Sequence, residues 1–323
     1  VTTGVVAISG LTLANGSDSA SFSVGAAVRN NANLTVRECV FTNNLSEASG
    51  GAIFNRPDGV LVVDRCLFVG NRAVGAFQGG GNAGAIATQG VMFITNSTFS
   101  GNSAGFTAGA IRNTGDMTIE SSTFTANTAS ECTDCVGLPA VIGHSGSSAV
   151  LHNTIVGGNT NVLGTFRDVS GAMDGGDYNL VEFASGYVTT GTNDLLGVSP
   201  VLGPLADNGG PTWTHLPLPG SPVIDAGDPS TLHAVDQRGI VRPVNGRADI
   251  GAVEAPPPVT PPTLSIVPGV GNVTISWTPS TSGFVLQTNL TLNPFTWGDA
   301  ASGSTNPIGV SLGSGQLFFR LRN

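Results

Sequence analysis

The sequence contains no lysine; all 12 of its basic residues are arginine. Chemistry that runs through a lysine amine, such as Schiff-base formation, a P-loop or a Lys–Asn isopeptide cross-link, is thereby excluded. Charge of either sign is scarce, at 10% of residues against about 25% in an average soluble domain. That shortage rules out a coiled coil or long-helix chain, which is built largely from Ala, Glu, Lys, Leu and Arg. Aromatic residues are only 6%, yet 15 of them are Phe, against 3 Trp and 2 Tyr. Phe therefore has a particular packing role. No apolar run approaches the ~18 residues of a membrane-crossing helix, so no membrane-spanning segment is expected. The net charge of −9 argues against nucleic acid and anionic membrane surfaces as partners. The chain opens at Val1 without the charged and apolar regions of a secretion signal. It is read as a chain from which an N-terminal signal has been removed.

Glycine is abundant, 46 of 323 residues, and the hydrophobic fraction is 40%. That is too apolar for disorder. Glycine does not recur at every third position, so the chain is not collagen. An all-β chain with many turns remains. Low charge together with much Gly, Thr, Ser and Asn favours an extracellular or cell-surface location.

Self-similarity is the dominant signal. The block Gly50–Asn55 (GGAIFN) recurs as Ala83–Thr88 (AGAIAT) and Ala108–Asn113 (AGAIRN), with a looser copy at Ala26–Asn30. Each block is followed by a short alternating strand and then by a Phe-x-x-Asn unit: Phe41–Asn44, Phe68–Asn71, Phe99–Asn102 and Phe124–Asn127. Val156–Asn159 is a degenerate copy. The alanines at 27, 52, 85 and 110 are 25, 33 and 25 residues apart, a spacing that fits one coil of a solenoid.

Alignment on the Phe produces columns. Val36, Val63, Ile94, Ile119 and Leu151 form one; Leu34, Leu61, Met92, Met117 and Ala149 form another, two residues earlier and on the same strand face. The Phe lies an odd number of residues further on, so a turn or bulge must intervene if it also points inward. Val28, Ile53, Ile86 and Ile111 form a further apolar column. Stacked at about 4.8 Å per coil, these columns predict a parallel β-helix with a Phe core ladder (Phe41, Phe68, Phe99, Phe124) and an Asn turn ladder (Asn44, Asn71, Asn102, Asn127). The same alignment predicts exposed pairs between Arg37 and Asp64 and between Glu38 and Arg65.

The paired GGAI blocks and Phe-x-x-Asn units resemble the repeats of polymorphic outer membrane proteins and related bacterial surface β-helices. The resemblance covers residues 1–160 and implies a right-handed parallel β-helix, often an adhesin. Residues 161–254 change character. The series Asp177–Leu180, Asp194–Gly197, Pro204–Thr212, Gly220–Gly227, Asp236–Gly239 and Arg247–Glu254 resembles the choice-of-anchor Q domain. That resemblance implies surface attachment and no reaction. This segment is expected to supply end coils and an irregular cap, since the end of a β-helix exposes a coil of unpaired backbone. Residues 255–262 are a Pro-rich linker. Residues 263–323 alternate over Thr263–Val267, Asn272–Thr278, Gly283–Thr288, Ile308–Leu312 and Gln316–Leu321, which predicts a small β-sandwich. Val273–Trp277 followed by Gly283–Leu286 looks like two strands of a fibronectin type III-like module, with Trp277 and Trp297 as core anchors.

Candidate chemistry is sparse. A β-helix invites a polysaccharide lyase or glycosidase reading, which needs paired carboxylates on one groove. The coil acids Glu38, Asp64, Asp116 and Glu120 are scattered, and no catalytic residue is assigned. Asp225, Asp228, Asp236, Asp249 and Glu254 with Arg238 and Arg247 form a denser group. Its oxygens could serve a structural Ca²⁺, but compact ligand spacing is lacking. It is read instead as a polar network of the cap, centred on Asp225, Asp236, Arg238 and Asp249, and no cofactor is expected. Cys132 and Cys135 form a lone CxxC, read as a disulfide closing an insertion loop. Cys39 and Cys66 share a column in successive coils and are either free core thiols or a bridge; in-register parallel neighbours favour thiols. The four histidines (144, 152, 215, 233) are dispersed.

The expected function is non-enzymatic: an extracellular structural or adhesive surface protein with a host or glycan surface ligand. The alternative is a carbohydrate-active enzyme or glycan-binding module on the same scaffold. The first coil, with Val5–Ile8 and Gly10–Leu13, offers an open strand edge. The C-terminal sandwich is short by about one strand. Head-to-tail association into a homo-oligomer or filament is expected from these two surfaces.

Overall fold

The computed structural model of the protein describes residues 4–18, 24–75, 82–129, 140–161, 167–230, 233–257, 262–280, 284–292, 296–300, 303–311 and 316–322. The chain divides into two compact units, Val1–Pro257 and Pro258–Asn323. The first contains a parallel β-solenoid over residues 5–181. The expected disulfide Cys132–Cys135 and part of the Pro-rich linker lie outside the described residues.

Four parallel sheets run along the solenoid. The long sheet stacks Val5–Ser9, Asn33–Arg37, Val60–Asp64, Val91–Thr95, Asp116–Glu120 and Ser148–His152. The Phe sheet stacks Thr12–Ala14, Val40–Thr42, Leu67–Val69, Thr98–Ser100, Thr123–Thr125, Ile155–Val156, Leu180–Val181 and Leu195–Leu196. A sheet of two-residue strands follows, beginning at Ser17–Asp18 and ending at Thr160–Asn161. The Ile sheet stacks Val28–Asn30, Ile53–Asn55, Ile86–Thr88, Ala108–Asn113, Ala140–His144 and Arg167–Ser170. One circuit of the four is a coil.

The register follows the columns. Leu34, Leu61, Met92, Met117 and Ala149 pair in series, as do Val28, Ile53, Ile86 and Ile111. The parity problem before the Phe is solved by backbone conformation. Glu38, Arg65, Asn96, Ser121 and Asn153 sit between the long and Phe strands with φ of 52, 53, 44, 45 and 50°. One left-handed residue at this bend of each coil resets the alternation, so both strands aim apolar side chains inward. Phe41, Phe68, Phe99 and Phe124 are fully buried. Their rings stack at 4.6, 4.6 and 4.5 Å with interplanar angles of 3, 1 and 8°.

The glycine of each GGAI-type block has a steric cause. A Cβ on Gly51 would lie 2.1 Å from Gly84 O, and one on Gly84 would lie 2.0 Å from Gly109 O. The next coil's backbone occupies the space that a side chain would need.

The Asn ladder is a directed chain. Asn44 Nδ2 donates to Asn71 Oδ1 (2.9 Å), Asn71 to Asn102 (2.9 Å), Asn102 to Asn127 (2.9 Å) and Asn127 to Asn159 (3.1 Å). From Asn71 onward, each amide also donates to a Phe carbonyl one coil back: Phe41, Phe68, Phe99 or Phe124. Such a ladder needs a terminal acceptor, and Asn159 Nδ2 donates to Asp168 Oδ1 (2.9 Å). The other oxygen of Asp168 takes the Phe183 N–H (2.8 Å). Asp168 is fully buried, and burial pushes its pKa up to about 7.

A second ladder follows the left-handed bend. The N–H groups of Cys66, Ser97, Ser122, Thr154 and Asn179 donate in turn to Ser97 Oγ, Ser122 Oγ, Thr154 Oγ1, Asn179 Oδ1 and Asp194 Oδ1. Cys39 and Cys66 begin this ladder: Cys39 N–H donates to Cys66 Sγ (3.4 Å). Both thiols are free and buried, and burial raises the pKa of Cys66. They occupy hydroxyl positions in the repeat. A third ladder closes the Ile sheet: Asn30 Nδ2 donates to Asn55 Oδ1 (2.8 Å), Asn55 Nδ2 to Thr88 Oγ1 (3.0 Å), and Asn113 Nδ2 pairs with His144 Nδ1 (2.9 Å).

Residues 200–257 belong mostly to the segment expected to supply end coils and a cap. They run back along the outer face of the Phe sheet as a strap. Ile155 and Leu180 of that sheet share a small core with Val223 and Ile250 of the strap. Thr98 Oγ1 donates to Gln237 Oε1 (2.6 Å), Ser100 Oγ pairs with His215 Nε2 (2.9 Å), and Ala252 N–H donates to Thr123 Oγ1 (3.0 Å). Outward polar residues of a nominally exposed face are therefore buried.

The second unit has two three-stranded antiparallel sheets. One holds Thr263–Pro268, Asn272–Thr278 and Ile308–Ser311; the other holds Val285–Asn289, Gly298–Asp299 and Phe318–Arg322. Both contribute to one core around Val273, Ile275, Trp277 and Leu286. Trp277 is an anchor of that core. Trp297 is not: it stands half-buried, with the Arg320 guanidinium 4.5 Å from its ring centroid.

Candidate functional site

The densest group of charged side chains in the described residues lies within the strap. Asp236 is fully buried. Its Oδ2 accepts from Arg238 Nε (3.0 Å), Arg238 Nη2 (2.7 Å) and Glu254 N–H (3.0 Å). Its Oδ1 accepts from the N–H groups of Arg238 (2.8 Å) and Ile240 (3.0 Å). Glu254 pairs with Arg242 Nη1 at 2.5 Å, both side chains being 1% exposed. Arg242 also donates to the carbonyls of Asp249 and Gly251. Asp249 accepts the N–H groups of Asp225 (2.7 Å) and Ala255 (2.5 Å), and burial raises its pKa to about 6.

Three of the four expected network residues, Asp236, Arg238 and Asp249, are thus brought together. Asp225 joins only through its backbone N–H; its side chain is exposed, at a left-handed φ of 53°. Arg242 and Glu254 are more central. Arg242 carries no local pattern to mark it, because its partners are a side chain twelve residues away and two carbonyls. The arrangement holds backbone: buried carboxylates collect N–H groups, and buried guanidiniums collect carbonyls. The carboxylate oxygens are engaged by these donors, which leaves them poorly disposed toward a cation. Among the described residues no group of three or more His, Cys, Asp or Glu side chains is arranged to hold a metal ion.

Two further pairs tie the strap to the long sheet. His152 Nε2 meets Asp228 Oδ2 (2.9 Å), while its Nδ1 accepts the Asp177 N–H (3.2 Å). Nδ1 is therefore the acceptor, and Nε2–H donates to Asp228. Glu120 meets His233 Nε2 (3.0 Å), and that hydrogen bond lowers the Glu120 pKa. His152 continues the Arg37, Asp64, Thr95, Glu120 column by one coil, a signal that was readable in the repeat. The expected coil pairs form: Arg37–Asp64 at 2.9 Å and Arg65–Glu38 at 2.5 Å, the latter half-buried rather than exposed. Glu38, Asp64 and Glu120 each hold a basic partner across a coil step or the strap, and among the described residues no two carboxylates of the coils are hydrogen-bonded to each other.

Residues 38–56 match the Chlamydia polymorphic membrane protein repeat. The matched segment begins at the left-handed bend, takes in Phe41 and Asn44, and ends with the GGAIFN block. It is one unit of the ladder described above. No curated protein and no solved structure matches the chain.

Proposed function

We propose that this chain is part of an extracellular, cell-surface protein with a structural or adhesive role rather than an enzymatic one. The observation that carries the reading is the repeat match over residues 38–56, set in a solenoid whose corners are saturated by directed hydrogen-bond ladders. Such a stack gives a rigid, extended surface. Residues 161–254 are read as a choice-of-anchor Q-like segment that braces the solenoid. Residues 263–323 are read as a fibronectin type III-like module. End-to-end association of copies into a filament belongs to the same reading.

Protease treatment of intact native cells tests the location. Cleavage of the chain on intact cells supports the proposal, and cleavage only after lysis refutes it. Incubation of the purified protein with pectin or alginate, with and without Ca²⁺, tests the absence of turnover; products lost on Asp249→Asn with the fold intact would favour the enzyme alternative.

A further inference from the structure

The outer face of the Ile sheet carries a depression of about 300 Å³, at the lower end of ligand-pocket volumes. Its origin is one small residue between two larger ones. Phe54, Ala87 and Arg112 are register partners on three successive coils. All three follow an inward-facing Ile and so face out. Phe54 and Arg112 form the two walls, about 9.6 Å apart across two coil steps, and Ala87 is the floor. Ser49, Gln89 and Thr114 complete the rim.

Arg112 is half-buried, and burial lowers its pKa. Yet it holds no hydrogen bond or ion pair among the described residues. By contrast, Arg65, Arg238 and Arg242 each hold a carboxylate. A partly desolvated guanidinium without an anion is unfavourable. Among the described residues no carboxylate lines the depression. The other lining groups are an aromatic ring, amides at Asn82 and Gln89, the latter exposed, and hydroxyls at Ser49, Thr88 and Thr114. Thr114 Oγ1 donates to Thr88 O (3.2 Å) and keeps its capacity to accept.

We propose that this depression binds a carboxylate-bearing sugar residue of an acidic glycan. The Arg112 guanidinium takes the carboxylate in a two-point contact. The Phe54 ring packs against the apolar face of the pyranose, and the amide and hydroxyls take ring hydroxyls. The site is open along the coils, so it accepts a residue within or at the end of a chain. This supplies a ligand class for the surface reading and rests on it for its biological meaning. Binding by the purified protein is nevertheless decided independently of location.

Isothermal titration of the full chain tests it with two acidic probes, an oligogalacturonate and a sialyllactose, which separate a polymer source from a terminal-sugar source. Their carboxyl-reduced or desialylated counterparts serve as controls. At least one acidic probe should bind, its neutral counterpart should not, and Arg112→Gln should weaken binding by about tenfold or more. Ala87→Leu, which fills the floor while keeping the charge, should weaken it comparably. Arg322→Gln, on the other unit, should leave it unchanged. Failure of both acidic probes to bind at about 10 mM, equal binding of acidic and neutral probes, or parental affinity in a folded Arg112→Gln protein would overturn the proposal. If Ala87→Leu does not fold, Arg112→Gln alone decides.

Discussion

Replacing Asn102 by Asp changes one nitrogen to an oxygen and tests the ladder directly. The side chain is fully buried. Its oxygen accepts from Asn71 N–H (3.0 Å) and Asn71 Nδ2 (2.9 Å); its nitrogen donates to Phe68 O (3.0 Å) and Asn127 Oδ1 (2.9 Å). A carboxylate keeps both acceptor roles and loses both donor roles. It also sets a negative charge against two carbonyl oxygens. Two buried hydrogen bonds are lost, although Asn127 Oδ1 keeps the Asn102 N–H (3.0 Å); with the carboxylate charge facing both oxygens, the loss at pH 7 is about 2–6 kcal/mol. Protonation restores one donor, which means the folded state raises this carboxyl above the ~3.9 of an unfolded Asp. A raised folded pKa means that the folded state binds more protons than the unfolded. Stability relative to the parent is therefore highest below about pH 4 and falls as pH rises toward the folded pKa, by at most about 1.4 kcal/mol per pH unit. Asn102→Ala destabilises without that slope. Urea unfolding followed by far-UV circular dichroism at pH 4 and pH 7, each against the parent at the same pH, reads both effects. An Asn102→Asp protein within about 1 kcal/mol of the parent at pH 7, or a larger deficit at pH 4 than at pH 7, would show that the amide ladder is not as described.

Phe99→Ala removes a fully buried ring stacked on Phe68 and Phe124; a loss of about 3–5 kcal/mol is expected, with amide exchange accelerated in both neighbouring coils, and a parental melting profile would contradict the core assignment. Asp168, with its pKa raised to about 7 by burial, should lower stability as pH rises from about 4 to 7, by up to about 4 kcal/mol. Asp168→Asn keeps the acceptor for Asn159 and should flatten that part of the profile, which a pH series of unfolding midpoints checks. Breaking the buried Arg242–Glu254 pair by Arg242→Met should cost about 3–5 kcal/mol and expose the strap to limited proteolysis before the coils. Simultaneous Arg242→Met and Glu254→Leu should recover much of the loss, and equal damage in the single and double variants would show that the pair itself does not hold the strap.

The repeat alone determined the coil register. One coil adds one residue to each column, so like residues at a near-constant spacing end up in contact, and Phe41, Phe68, Phe99 and Phe124 could hardly stack otherwise. The ion pairs Arg37–Asp64 and Glu38–Arg65 follow from the same step. Even the left-handed bend was foreshadowed, because the odd spacing from Val36 to Phe41 demanded a break in alternation.

The course of residues 200–257 was decided only by tertiary structure. Gln237 and Thr98 are 139 residues apart, and no periodicity links a strap to the face that it covers. The links Asn30–Asn55–Thr88 and Asn113–His144 were hidden by changing residue types, which share hydrogen-bonding capacity but not identity. The depression at Ala87 was hidden for a related reason. A small residue between two large ones makes a cavity only when all three point outward on adjacent strands. The Ala87–Arg112 relation is set by backbone pairing across coils, and sequence spacing conveys the pairing but not the empty volume above it.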